Sequence, residues 1–196
     1  MLKRASIEST VRLALYLVSR EQQRAVDDVT WRMKCGDLKG AVALLPPKLG
    51  ASTLARWRAD GMINDEQLRA VLLRIWCLAE YPCHDLPRST WLEWFAIAGF
   101  VTDNRDLPPK KPIQVWRVEY GRQLGLSWTR NPEVIERFVA RGNFNGLAGR
   151  VLRTHIPPEK VLGFVEARNE QEVIVHPTVR IEAVERVVGV RPDVRF

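Results

Sequence analysis

Three short groups of residues in this 196-residue chain have types suited to work on a single bond. They are Arg117, the triplet Ser127-Trp128-Thr129, and the acids Glu170 and Glu172 separated by Gln171. Breaking a glycosidic bond, including one from a ribose to a nitrogen base, passes through an oxocarbenium-like centre. A carboxylate must lie beside that positive charge. A glutamate bonded to a ribose hydroxyl stabilises the developing cation, while the planar fork of an arginine pairs with phosphate oxygens and fixes a dinucleotide. Serine or threonine hydroxyls on a neighbouring strand orient the carboxylate, and a displaced catalytic group loses most of its effect.

The elements that must position these groups are short strands. Ile113 to Val118, Val151 to Ile156, Val161 to Val165, Val173 to Val175 and Val179 to Val188 are rich in β-branched residues and separated by Gly, Pro or Asn. Arg117 lies near the end of the first strand, Ser127 and Thr129 flank Trp128 on the next, and Glu170 and Glu172 lead into Val173 to Val175. Alternate residues of a strand share a face, so Ser127 with Thr129, and Glu170 with Glu172, are each expected to point one way, towards one cleft. One helix interrupts the strands. It starts at Asn131-Pro132, a favourable cap followed by proline in the first turn, and carries Val134, Ile135, Phe138 and Val139 before Gly142.

The first half reads as helices. Ile7, Val11, Ala14, Leu15 and Val18 recur at helical spacing; Ser52 precedes a short helix with Leu54 and Trp57, for which Gly61 is the stop. Asn64 with Gln67 forms a capping-box pattern before Leu68, Val71, Leu72, Ile75 and Trp76, and a further helix runs from about Pro87 to Ala98 before Gly99. Trp31, Trp57, Trp76, Trp91 and Trp94 fall here at positions that suit helix packing better than a platform for bases. Prolines 108, 109 and 112 mark a linker, because proline removes a backbone donor and excludes the preceding residue from helix. The expected fold is α+β: a helical region over 1–107, a linker at 108–112, and a compact β-rich core over 113–196 with split antiparallel sheets and one inserted helix.

Composition narrows the function classes. A hydrophobic fraction of 46% and a charged fraction of 27% exclude a disordered chain. No run approaches the roughly 18 to 20 apolar residues that span a bilayer. The start Met1-Leu2-Lys3-Arg4 is basic, but Ala5 to Val18 contains Glu8 and Arg12 and lacks a small-residue cleavage site, so a cytosolic protein is expected. Cys35, Cys77 and Cys83 make no disulfide framework; Cys77, Cys83 and His84 lack a fourth zinc ligand at a usual spacing, and no metal is expected. The net charge of +7 favours nucleic acid or an acidic partner, yet the basic residues are scattered, with no block beyond Lys110-Lys111. His155 and His176 read as strand-end surface residues.

In order and spacing, the chain resembles the Arg-Ser-Glu, cholera-toxin-like branch of ADP-ribosyltransferases over about Val115 to Val188. The shared pattern is an aromatic-Arg strand (Trp116-Arg117), a hydroxyl strand followed by a helix (Ser127-Trp128-Thr129), and Glu-x-Glu before a later strand (Glu170-Gln171-Glu172). The chain departs from that pattern at Val118, where glycine is common, and in reading Ser-Trp-Thr for Ser-Thr-Ser. The resemblance implies that Glu172 is catalytic, that Ser127 holds it, and that Glu170 positions or activates the acceptor. Arg117, Ser127, Trp128, Thr129 and Phe144 are the implied NAD-binding set, with Arg141 to Leu147 as the loop over nicotinamide and Glu166 to Asn169 as the target-recognition turn. The implied activity is mono-ADP-ribosyl transfer from NAD, a substrate here, to a protein or nucleic acid. By analogy alone, this extends to a toxin or phage-host conflict effector with an antitoxin or immunity protein as partner.

Two other readings stay open at this level. In an NAD glycohydrolase, water takes the acceptor's place. In a non-catalytic basic module, the helical half binds nucleic acid, a reading motivated by Trp57 between Arg56 and Arg58.

Overall fold

A computed structural model describes residues 20–79, 81–120, 124–144, 149–167, 169–178 and 183–185. The chain forms two compact units, Met1–Gly99 and Phe100–Phe196. The architecture is α+β, with helices first and then a sheet with one inserted helix. The break falls ahead of the proline linker because Val101–Thr102 pairs with a strand of the sheet and so joins the second unit. No helix among the described residues is long and apolar enough to cross a membrane.

In the helical unit the described elements are α1 (Arg20–Lys34), α2 (Leu38–Ala43), α3 (Pro47–Ala59), α4 (Asp65–Leu78), α5 (Pro82–Asp85) and α6 (Arg88–Ala98). The helix expected over Ile7 to Val18 lies outside the described residues. The helix expected after Ser52 instead starts at Pro47, where proline at the first turn gives up a donor that would have no partner. Ser52 is internal, its hydroxyl donating to the Leu49 carbonyl. The capping box at α4 forms as the sequence implies: Gln67 N–H donates to Asn64 Oδ1 at 2.8 Å and Asn64 N–H to Gln67 Oε1 at 2.9 Å. Leu68, Val71, Leu72, Ile75 and Trp76 are buried on one face of α4. Trp76 meets Trp91 edge to face at 5.1 Å, Trp91 meets Trp94 at 5.4 Å, and the Trp91 indole N–H donates to the Pro82 carbonyl at 2.7 Å. Four of the five tryptophans of this half are therefore core, and Trp31, 62% exposed on α1, is the exception.

The second unit holds β1 (Val101–Thr102), β2 (Ile113–Glu119), β3 (Ser127–Thr129), α7 (Glu133–Phe144), β4 (Arg150–Ile156), β5 (Val161–Val165), β6 (Glu172–Val175) and β7 (Ala183–Glu185). Where two split antiparallel sheets were expected, one seven-stranded mixed sheet forms in the order β1-β5-β6-β3-β2-β4-β7. Its halves join at the β2·β3 seam, where Trp116↔Thr129 is the register pair among the described residues. One face carries Val115, Trp128, Leu152, Ile156, Val161, Phe164, Val173 and Val175 as a core; on the other, α7 packs Ile135, Phe138 and Val139 against Trp116, Val118 and Val151. β1 lies parallel to β5 with Val101 opposite Gly163 and Thr102 opposite Phe164. A Cβ at Gly163 would stand 2.5 Å from the Val101 carbonyl oxygen, so glycine is what lets β1 approach. Gly163→Ala is expected to push β1 off the sheet edge and cost about 1–3 kcal/mol, read as a lower chemical-denaturation midpoint; an unchanged midpoint would refute this account of the β1 contact.

Candidate functional site

The hydroxyl strand β3 and the acid strand β6 are direct neighbours. They pair antiparallel with Ser127↔Ile174, Trp128↔Val173 and Thr129↔Glu172. Residues opposite one another in an antiparallel pair share a face, so Ser127, Thr129 and Glu172 lie on one side of the sheet. Trp128 and Val173 lie on the other, within the apolar core. Trp128 is 2% exposed there, which removes it from the implied set of NAD contacts. Glu172 is also buried, at 2% exposure, and opens β6.

The acids are not successive outward positions of one strand. Gln171 has φ +47° and Asn169 φ +54°, so the chain turns through the left-handed region on both sides of Glu170 and becomes strand only at Glu172. Simple alternation therefore does not relate Glu170 to Glu172. The path is set by bonds to β3. The buried Thr129 hydroxyl donates to the Glu170 carbonyl at 2.5 Å and accepts from Asn131 N–H at 2.9 Å, and Arg130 N–H donates to the Gln171 carbonyl at 3.0 Å. Thr129 thus supports the backbone that carries both acids. Asn131 continues the chain into α7 as its cap, its side-chain oxygen accepting from Glu133 N–H at 3.0 Å.

Arg117 belongs to the opposite face. Trp116 is opposite Thr129, and alternation along β2 groups Arg117 with Val115 and Glu119 on the side of Trp128. Its Nε donates to Glu119 Oε2 at 2.9 Å and its Nη1 to the Ser127 carbonyl at 2.5 Å. Glu119, 7% exposed, also accepts from Gly125 N–H at 3.2 Å. A Cβ at Gly125 would fall inside the Arg117 guanidinium, so glycine makes room for it. Arg117 therefore clamps β3 through the Ser127 backbone and does not share a cleft face with Glu172. Glu119 and Gly125 escaped the sequence reading; the available signal was an acid two residues beyond Arg117, where strand alternation returns to the same face.

Phe144 is the last residue of α7, and that helix runs on past Gly142. Residues 141–144 are accordingly helix, while 145–147 of the implied nicotinamide loop lie outside the described residues. Gly142 and Gly149 leave room for Tyr120, whose ring a Cβ at either position would meet. The Tyr120 hydroxyl donates to the Phe138 carbonyl at 2.5 Å, and burial holds the phenol above its ordinary pKa, keeping the donor protonated. His155 is exposed on β4, and His176 is half-buried just past β6, where burial and then the Lys160 charge lower its pKa and favour the neutral ring.

The helical unit offers less. Trp57 has no exposed surface, so it presents no ring to a base, and Arg58 pairs with Asp65 at 2.5 Å. Among the described residues no group of three His, Cys, Asp or Glu side chains is placed to hold a metal ion. No family model, curated protein or solved structure matches the chain.

The hydroxyl of Thr129 gives a direct check on this geometry. Thr129→Val leaves the Asn131 N–H and the Glu170 carbonyl without their shared partner and is expected to cost about 1–3 kcal/mol in denaturant unfolding, with Thr129→Ser close to wild type. Equal stability of the Val and Ser variants would refute the bond.

Proposed function

We propose that the chain is an intracellular mono-ADP-ribosyltransferase that cleaves NAD and transfers ADP-ribose to a protein or nucleic acid. The observation that carries this reading is the pairing of Thr129 with Glu172, which sets a strand of hydroxyl residues beside a buried carboxylate.

In the proposed reaction the bond between ribose C1′ and the nicotinamide ring nitrogen breaks. Its electron pair leaves with nicotinamide and neutralises the pyridinium charge. Glu172, on the face of Ser127 and Thr129, stabilises the cation left at C1′; burial strengthens this because few water dipoles compete. An acceptor nucleophile then attacks C1′ and gives up its proton, for which Glu170 is the proposed base. Arg117 serves from the opposite face by fixing the Ser127 backbone, a positioning role that replaces the phosphate contact implied by resemblance. When water is the nucleophile, the same site acts as an NAD glycohydrolase.

Glu172→Gln removes the charge and little volume. It is expected to lower nicotinamide release at least about a hundredfold in a folded protein, as loss of a group that stabilises transition-state charge does; near-normal release would sink the assignment. Glu170→Gln is expected to lower transfer of label from NAD to acid-insoluble acceptor more than it lowers nicotinamide release, and equal losses would refute the role of Glu170. With the wild type, free ADP-ribose and no labelled acceptor identifies the glycohydrolase.

A further inference from the structure

The connection from β5 to β6, residues 166–171, has its two ends held by different parts of the fold. At the β6 end, Thr129 and the Arg130 backbone bind the Glu170 and Gln171 carbonyls. At the β5 end the partner is Asp103, more than sixty residues away in sequence. One carboxylate takes three bonds there: Glu166 N–H at 2.9 and 3.0 Å from its two oxygens, and Ala167 N–H at 2.8 Å. The parallel register explains the meeting, since Thr102 lies opposite Phe164 and the next residues along each strand are Asp103 and Val165, with Glu166 following. Thr102, Asn104 and Asp106 brace the Asp103 loop: Asn104 Oδ1 accepts from the Thr102 hydroxyl at 2.6 Å and from Asp106 N–H at 2.7 Å.

A second contact fixes the Glu166 side chain. Arg130 Nη2 pairs with Glu166 Oε1 and lies 3.8 Å from Asp106, while its guanidinium stacks over the Phe164 ring at 4.3 Å. Asn169 N–H closes the turn on the Glu166 carbonyl at 2.9 Å. Backbone amides bonded to a carboxylate from a remote strand, with an adjacent ion pair stacked on an aromatic ring, hold a shape that the turn's own short sequence does not impose.

We propose that Asp103 is a positioning residue for the acceptor: it holds Glu166 and Ala167, and through them the turn closed by Asn169, as a preformed acceptor-binding face ahead of Glu170, and NAD cleavage does not depend on it. This rests on the transferase reading above. The separation follows from the two anchors. Loss of Asp103 releases the backbone amides of Glu166 and Ala167, whereas Glu172 keeps its pairing with Thr129, and Glu170 and Gln171 keep their bonds to β3.

The test uses the full chain, NAD labelled in its adenylate half, and a cell extract of the expression host as the acceptor pool. Nicotinamide release and acid-insoluble label are measured together, with amide hydrogen exchange as a folding control. For Asp103→Ala, release is expected within about twofold of wild type while label per nicotinamide released falls about tenfold, the scale of loss that follows from misplacing a reacting partner. Exchange is expected to speed up at Glu166 and Ala167 and stay slow in β6. Asp103→Asn, which keeps one acceptor oxygen, is expected to fall between wild type and Asp103→Ala and is the variant to read if Asp103→Ala does not fold. An unchanged ratio, or parallel loss of both activities, overturns the role of Asp103, as does a wild type that releases nicotinamide but labels nothing. A wild type that releases no nicotinamide overturns the transferase reading itself.

Discussion

The second unit depends on the pairing of β3 with β6. Three residues of each strand meet, and those few bonds decide which side chains face one another. Thr129 opposite Glu172 brings a hydroxyl and a carboxylate to one face; Trp128 opposite Val173 puts a large apolar ring into the core on the other. A slip of one residue would turn one strand over against the other, taking the indole out of the apolar core or leaving Thr129 and Glu172 on opposite faces. Burial of Trp128 is therefore what keeps the polar residues in register. The core and the site are two sides of one pairing.

Around that pairing the polar groups support one another. Arg117 and Glu119 hold β3 from beneath through the Ser127 carbonyl, and Thr129 holds the backbone of Glu170. Asp103 and Arg130 hold the turn that leads there from β5. Most of these bonds join a side chain to a backbone group, and that is how a segment with left-handed residues at Asn169 and Gln171 stays in one conformation. The helical unit is organised differently. Apolar and aromatic packing around Trp76 and Trp91 stabilises it, and the ion pairs Arg56–Asp60 and Arg58–Asp65 are at the surface.

Much of the local structure was legible in the chain. The capping box at Asn64 and Gln67, the glycine stop at Gly99, the buried face of α4 and the Asn131 cap all follow from contacts within a turn or two of helix, which spacing and residue type record directly. The start of α3 is an exception: Ser52 is a residue type that caps helices, but Pro47 is the residue that the first turn favours. Strand positions from β2 to β6 were legible for the same reason, whereas β1 lies in the stretch expected as helical and the strand expected over Val179 to Val188 falls mostly outside the described residues. The order of Arg117, Ser127 and Glu172 was legible too. Their faces were not. Arg117 sits on the side away from Glu172 because of the Trp116↔Thr129 register, which no local pattern encodes.

The sequence by itself determined the helices-then-strands order, the residues suited to each core, and the chemical types gathered near Glu172. Periodicity and capping are short-range properties, written wherever neighbouring residues meet. The tertiary structure decided the rest: that the strands join into one mixed sheet, that Glu119 and Gly125 accommodate Arg117, and that Asp103 reaches the turn ahead of Glu170. Each of these is a meeting of segments brought together by strand pairing. Closing a loop costs much the same for neighbouring registers, so the choice falls to which one buries the apolar face while leaving the polar groups bonded.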